Sequence, residues 1–223
     1  MPRHFLSAAD LTRDEAEALL KRALALKAEW HTGGHADLPL RGKTLALVFE
    51  KPSLRTRVAF EAGMTQLGGH GSYLSANDID MGGRESVADV AHNLSRWVQV
   101  IAARVFRHAT VAELARHATV PVINALCDRE HPCQALADLL TLRERFGTLQ
   151  GLRLAYLGDG NNVCHSLMLL GATLGVNVGV ACPPDYRPDP EIVAQAERLA
   201  AEEAARLEAE RAGSGECVDD AGA

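Results

Sequence analysis

The chain lacks most of what would place it outside the soluble interior of a cell. Its five cysteines, Cys127, Cys133, Cys164, Cys182 and Cys217, form no Cys-x-x-Cys pair and are odd in number. That speaks against a disulfide framework or a zinc site and for a reducing cytoplasm. No stretch approaches the roughly 20 apolar residues of a membrane span. The opening "MPRHFLSAADLTRDEAEALL" has no apolar signal core. No basic run offsets the net charge of −6, which argues against a nucleic-acid surface. Any anionic ligand must then be held by local arginines rather than by a global field. The histidines show no spacing with carboxylates or thiols that would bind a metal, and no internal repeat is evident.

What is present is enough for real cores: 223 residues, 47% of them hydrophobic, fit one large or two modest domains. "TRDEAEALLKRALALK" opens with a capping box, Thr12 and Glu15, and carries a helical apolar spacing at Ala16, Leu19, Leu20 and Ala23. "KTLALVF" (43–49) is a continuous apolar run, as expected of a strand buried on both faces. A helix is predicted from Leu54 to Leu67, closed by Gly68-Gly69. "HGSYLS" is a second strand, weakened by its glycine. A helical stripe runs from Val87 to Val98, followed by strand "VQVIAARVF". Then come a helix with a predicted capping box at Thr110 and Glu113, strand "VPVINAL", and a helix from His131 to Phe146 with Pro132 in its first turn. After "GTLQG" the alternation restarts with strand "LRLAYLG", helix 163–174, strand "VNVGVAC" and a helix capped by Asp189. Such alternation predicts parallel sheets covered by helices in two α/β domains, divided between 147 and 151. The second would have only roughly 70 residues, few for a domain. Its sheet is expected to be incomplete. The run "EEAARLEAER" reads as a solvated helical face.

Three stretches carry chemistry. In "EKPSLRTRV" (50–58), Ser53 is placed to cap the helix that starts at Leu54. First-turn amides, the dipole, the hydroxyls of Ser53 and Thr56, and Arg55 would converge on one oxyanion. An ordinary capped helix with exposed arginines would use the same letters. Arg57, on another face, is expected to buttress the loop. In "DREHPCQALADLL" (128–140), His131 and Gln134 share a helix face. They offer a donor to a carbamoyl oxygen and an acceptor for its NH2, or simply begin a helix. In "LGDGNNVCHSL" (157–167), Gly158 and Gly160 make a partial G-x-G-x-x-G with Val163 at the third position, and Asp185 stands near where a ribose-binding acid would follow. The same loop would instead present Asn161 and Asn162 to a polar substrate. Cys133 and Cys164 are read as packing groups.

Taken together, "SLRTR" (53–57), "HPCQALAD" (131–138) and "DGNNV" (159–163) resemble, in this order, the transcarbamoylases, and the last resembles their ornithine branch. "FEKPSLRTRVAFE" and "RESVADVAHNLSRWVQVIAARVF" extend the resemblance over nearly the whole chain. It implies a carbamoyl-phosphate domain (1–147) followed by an ornithine domain (148–223, incomplete), assembled as trimers of the chain. It implies that Ser53, the Leu54 backbone, Arg55 and Thr56 hold the phosphate. Arg104 would reach phosphate and carbonyl oxygen, His131 and Gln134 would bind the carbamoyl group, and Pro132 and Cys133 would shape that turn. Asn162 would contact L-ornithine. The implied chemistry needs no metal or organic cofactor. Thr56, Arg104 and His131 would stabilise the oxyanion formed when the δ-amine of ornithine attacks the carbamoyl carbon, giving L-citrulline in arginine biosynthesis or the arginine deiminase pathway.

Two departures from that pattern stand out. Asp80, in "DMGGRES", stands where many relatives carry glutamine, and a carboxylate would repel the phosphate, so that contact is not carried over. The pattern's later segments, a Ser-Met-Gly loop, a His-Cys-Leu-Pro stretch and a C-terminal arginine, have no counterpart before Ala223. The chain is therefore expected to be truncated and to turn over little ornithine. The competing readings are an aspartate or N-acylornithine carbamoyltransferase, a nucleotide-binding Rossmann module without catalysis, and an unstable product of a disrupted gene.

Overall fold

A computed structural model describes residues 2–79 and 81–213. Asp80 and Cys217 lie outside the described residues. After a 3-10 turn, Ala8–Asp10, helix α1 (Arg13–His31) begins at the expected capping box: Thr12 accepts from the Glu15 amide while Glu15 reaches back. Ala16 and Leu20 are its buried positions, whereas Leu19 is exposed. The first sheet follows, as β1 (Thr44–Phe49), α2 (Leu54–Gln66), β2 (His70–Ser75), the short α3 (Ala76–Ile79), α4 (Val87–Trp97), β3 (Val100–Arg104), α5 (His108–His117), β4 (Val122–Leu126) and α6 (Pro132–Phe146). The second comprises β5 (Arg153–Leu157), α7 (Asn162–Thr173), β6 (Asn177–Ala181) and α8 (Pro190–Gly213).

The first four strands are all parallel, in spatial order β2-β1-β3-β4, and β5 pairs with β6 in a separate parallel pair. β1 sits inside the first sheet with Leu45 to Phe49 buried, as a two-sided strand must be. One face of this sheet packs Ala46, Val48, Ile101 and Ala103 against α4 and α5. The other packs Leu47, Phe49 and Ala102 against Phe60 and Met64 of α2. A further core joins α1 and α6 to α7 and α8 through Leu20, Leu139, Leu169, Leu170 and Ile192. The two halves therefore share one apolar interface.

Two local expectations are corrected. α5 begins at His108 rather than at a Thr110 capping box: Arg107 is its N-cap without a side-chain bond. The His108 amide donates instead to Asp128 Oδ1 at 2.7 Å. A carboxylate from the β4–α6 loop thus does the capping, a tertiary partner that local spacing does not reveal. The "EEAARLEAER" run is not wholly solvated either. Glu203 is 7% exposed, accepts from Arg13 of α1 and pairs with Arg206, so it fastens α8 to α1.

Candidate active site

In parallel α/β sheets ligands gather beyond the carboxyl ends of the strands, and the candidate residues lie there. Register aligns Phe49 of β1 with Arg104 of β3 and Arg104 with Leu126 of β4. The β3–β4 pairing skips Ala125 just before Arg104, a bulge of the kind found beside active sites. The loop after β1 carries Ser53, and the loop after β4 carries His131.

α2 starts as its sequence predicts. Ser53 is the N-cap in extended backbone, its Oγ accepts from the Thr56 amide at 3.3 Å, and it donates to Thr56 Oγ1 at 3.0 Å. Leu54 and Arg55 fill the first helical positions, whose amides have no intrahelical carbonyl to meet. Leu54 is 79% exposed, so its side chain packs against little at this corner. Arg57 turns away, with its guanidinium 3.7 Å above the Tyr73 ring and bonded to Glu61. It ties α2 to β2 rather than to the loop.

Arg55, Arg104 and His131 form one electrostatic group. Burial, and then the charge of Arg55, lowers the pKa of Arg104. Burial first, and then the charge of Arg104, lowers His131 to about 4. The imidazole is therefore neutral at pH 7, able to donate from one nitrogen and accept at the other. Arg104 Nε and His131 Nδ1 are buried with no hydrogen-bond partner among the described residues. Unmet buried nitrogens are costly in a folded interior, so this electrostatically coupled pair makes the corner a candidate ligand site.

His131 is the N-cap of α6 and Pro132 its first residue, so this terminus has one amide fewer and no capping side chain. Gln134 is exposed and donates to Asp138 Oδ1 at 2.8 Å. The Cys133 thiol donates to the Asn124 carbonyl, and burial pushes its pKa up to about 12. Burial likewise raises Cys164 to about 11. Both are packing groups. Among the described residues, no group of three or more His, Cys, Asp or Glu side chains is placed to hold a metal, and no helix is long and apolar enough to cross a membrane.

The Asp159–Val163 loop is built differently from a dinucleotide cradle. The N-terminus of α7 is already occupied: Asn161 Oδ1 accepts from the Val163 and Cys164 amides. A pyrophosphate would have to displace it. Gly160 is required by packing, because a Cβ there would lie 2.1 Å from Pro188 N. Asn162 donates to the Cys127 carbonyl at 2.6 Å, which joins the loop to the first half of the chain.

Sequence reasoning passed over the rest of this junction. His165 Nδ1 is 2.7 Å from the Arg129 carbonyl, and its Nε2 accepts from the Asp189 amide at 3.0 Å. Ser166 Oγ accepts from the His131 amide at 3.0 Å and donates to Glu130 Oε2 at 3.1 Å. Glu130 Oε2 also accepts from the Ala8 amide. Residues 162, 165 and 166 share a helix face, and that spacing was the available signal.

The structure thus defines a two-sheet parallel α/β protein with an arginine–histidine group beyond the carboxyl ends of its first sheet. Family models place it more closely. Residues 3–144 match the aspartate/ornithine carbamoyltransferase carbamoyl-P binding domain, and residues 150–221 match the Asp/Orn binding domain of the same family. The chain belongs to the aspartate/ornithine carbamoyltransferase family. It is 52% identical over 205 residues to ornithine carbamoyltransferase of Anoxybacillus flavithermus, covering 92% of this chain and 65% of that relative. It is 52% identical over 206 residues to the Thermococcus kodakarensis enzyme, with the same coverage. Among solved structures, ornithine carbamoyltransferase from Pyrococcus furiosus superposes with a TM-score of 0.87 at 50% identity, over 90% of this chain and 64% of that one. The mitochondrial enzyme of Coccidioides immitis gives 0.85 at 41%, over 90% of this chain and 66% of that one. The chain thus spans about 65% of the length of these curated relatives.

Proposed function

We propose that the protein carrying this chain transfers the carbamoyl group of carbamoyl phosphate to the δ-amine of L-ornithine, giving L-citrulline and phosphate, in the direction of arginine biosynthesis. The relatives' names support the reaction, and the name of one from Pyrococcus furiosus, "Ornithine carbamoyltransferase, anabolic", supports the direction. The observation that carries the reading is the pair of buried, unpartnered nitrogens, Arg104 Nε and His131 Nδ1, in an electrostatic group with Arg55 of the first turn of α2. In this reading, Ser53, the Leu54 and Arg55 amides, Arg55 and Thr56 hold the phosphate, where the helix dipole favours a dianion. His131 and Arg104 donate to the carbamoyl oxygen. Gln134 turns from Asp138 to accept from the carbamoyl NH2, with Pro132 and Cys133 fixing the turn. Asn162 contacts ornithine.

The mechanism follows from where charge moves. The neutral δ-amine attacks the carbamoyl carbon, and negative charge grows on the carbonyl oxygen. Donors already aimed at that position, Arg104, Thr56 and neutral His131, stabilise it without reorganising. The C–O bond to phosphate then breaks with its electron pair on the phosphate oxygen, which takes the proton the attacking nitrogen gives up, so that phosphate leaves as the hydrogen phosphate dianion held by Arg55 and the α2 terminus. We place the boundary between carbamoyl-phosphate and ornithine domains at 147/148, and assign the assembly as a homotrimer in the cytoplasm.

The test on this chain is calorimetry with carbamoyl phosphate. Saturable binding that Arg55→Ala weakens at least tenfold is expected, with no response to NAD. Binding of NAD and not of carbamoyl phosphate overturns the reading. A citrulline assay of the longer protein against aspartate and N-acetylornithine decides the acceptor.

A further inference from the structure

Each residue of the α7 face formed by Asn162, His165 and Ser166 makes a polar contact to a main-chain atom of one short loop. Asn162 Nδ2 takes the Cys127 carbonyl, His165 Nδ1 the Arg129 carbonyl, and Ser166 Oγ the His131 amide. The contacts fall on alternate residues of the segment that ends in the imidazole of the anion pocket. They are shielded: His165 is 7%, Ser166 0% and Glu130 2% exposed. Glu130 fixes the Ser166 hydroxyl by accepting a hydrogen bond from it, so that a Ser166 lone pair is left for the His131 amide. Arg129 adds ion pairs to Asp189 and Glu191 at the start of α8.

His131 itself lacks any such hold. Its Nδ1 has no partner, and no side chain caps α6. The ring's position is therefore inherited from its backbone, and that backbone is fixed by a helix of the other half of the chain. We propose that Ser166, oriented by Glu130, is a positioning residue for His131, so that the carbamoyl end of the pocket is set by α7 while the phosphate end is not. This rests on the function proposed above. Ser53, Arg55 and Thr56 belong to α2 and its cap, where Ser53 and Thr56 bond to each other, so the two ends separate by experiment.

The experiment is calorimetry of the 223-residue chain with freshly dissolved carbamoyl phosphate and, separately, inorganic phosphate. Ser166→Ala is expected to weaken carbamoyl phosphate about tenfold while phosphate stays within twofold, and Ser166→Thr is expected to restore the preference. Glu130→Gln, which keeps the shape, is expected to lose about threefold on carbamoyl phosphate alone, and it supplies the readout should the alanine variant fail to fold. The His131 ring resonances should shift in both variants. A wild-type chain that prefers carbamoyl phosphate, with variants that keep the full preference or lose both ligands equally, overturns this inference alone. A wild-type chain that binds both ligands alike overturns the functional reading, and this inference with it.

Discussion

At the residue scale, burial and the nearby Arg104 charge take the pKa of His131 to about 4 from an ordinary 6.5. The sign is fixed by linkage. Below pH 6.5 an unfolded chain binds a proton at this histidine that the folded chain refuses. The folded state is therefore fully favoured above 6.5 and loses stability as pH falls toward 4, at up to about 1.4 kcal/mol per pH unit. Between pH 6.5 and 5 the loss from this residue alone is about 2 kcal/mol. Denaturant midpoints for the wild-type chain and His131→Gln across that range should diverge by this amount; parallel curves would show that the imidazole titrates normally. Near neutrality the same shift keeps the ring uncharged beside the Arg104 charge.

At the element scale, much was legible because the signals are local. Thr12–Glu15 caps α1, Ser53 caps α2, Pro132 begins α6, and Asp189 Oδ1 accepts from the Glu191 amide at the start of α8. Each is decided within four residues. The Thr110–Glu113 box was not, since Asp128, far along the chain, meets the helix first. The glycines after β5 show the same limit: their spacing suggested a nucleotide loop, yet Gly160 answers to Pro188. Gly160→Ala should drive a Cβ into that backbone, break the Gly160 amide bond to the Tyr186 carbonyl, and cost about 2–4 kcal/mol. Thermal unfolding measures this. A variant within 0.5 kcal/mol of wild type would mean the loop moves aside freely.

At the scale of the whole molecule, the two sheets are unequal. The first is buried on both faces. The second is a pair of strands whose outer edges are unpaired among the described residues, with a trough of about 990 Å3 lined by Leu154, Met168, Val178, Val180, Val193 and Ala196. Unpaired edges and contiguous apolar walls attract other apolar groups. The 223-residue chain should raise the fluorescence of an apolar dye, and Val180→Lys should reduce that signal while leaving carbamoyl phosphate binding, which belongs to the other sheet, unchanged. A chain that leaves the dye dark would show the trough is closed in solution. The alternation of strands and helices made the two-sheet plan readable from composition and spacing. The junction between the sheets was not, because its bonds run from side chains of α7 to main-chain atoms some 35 positions earlier, and no periodicity encodes which backbone group a helix will meet.

The skipped pairing at Ala125 gives β4 one residue more than its neighbour over the same stretch. A strand advances about 3.3 Å per residue, so this extra step carries the following loop, and His131 with it, outward by up to that distance. Deleting Ala125 would even out the ladder and draw the ring back by about the length of one hydrogen bond. Under the function proposed above, the carbamoyl oxygen would then lie out of the ring's reach.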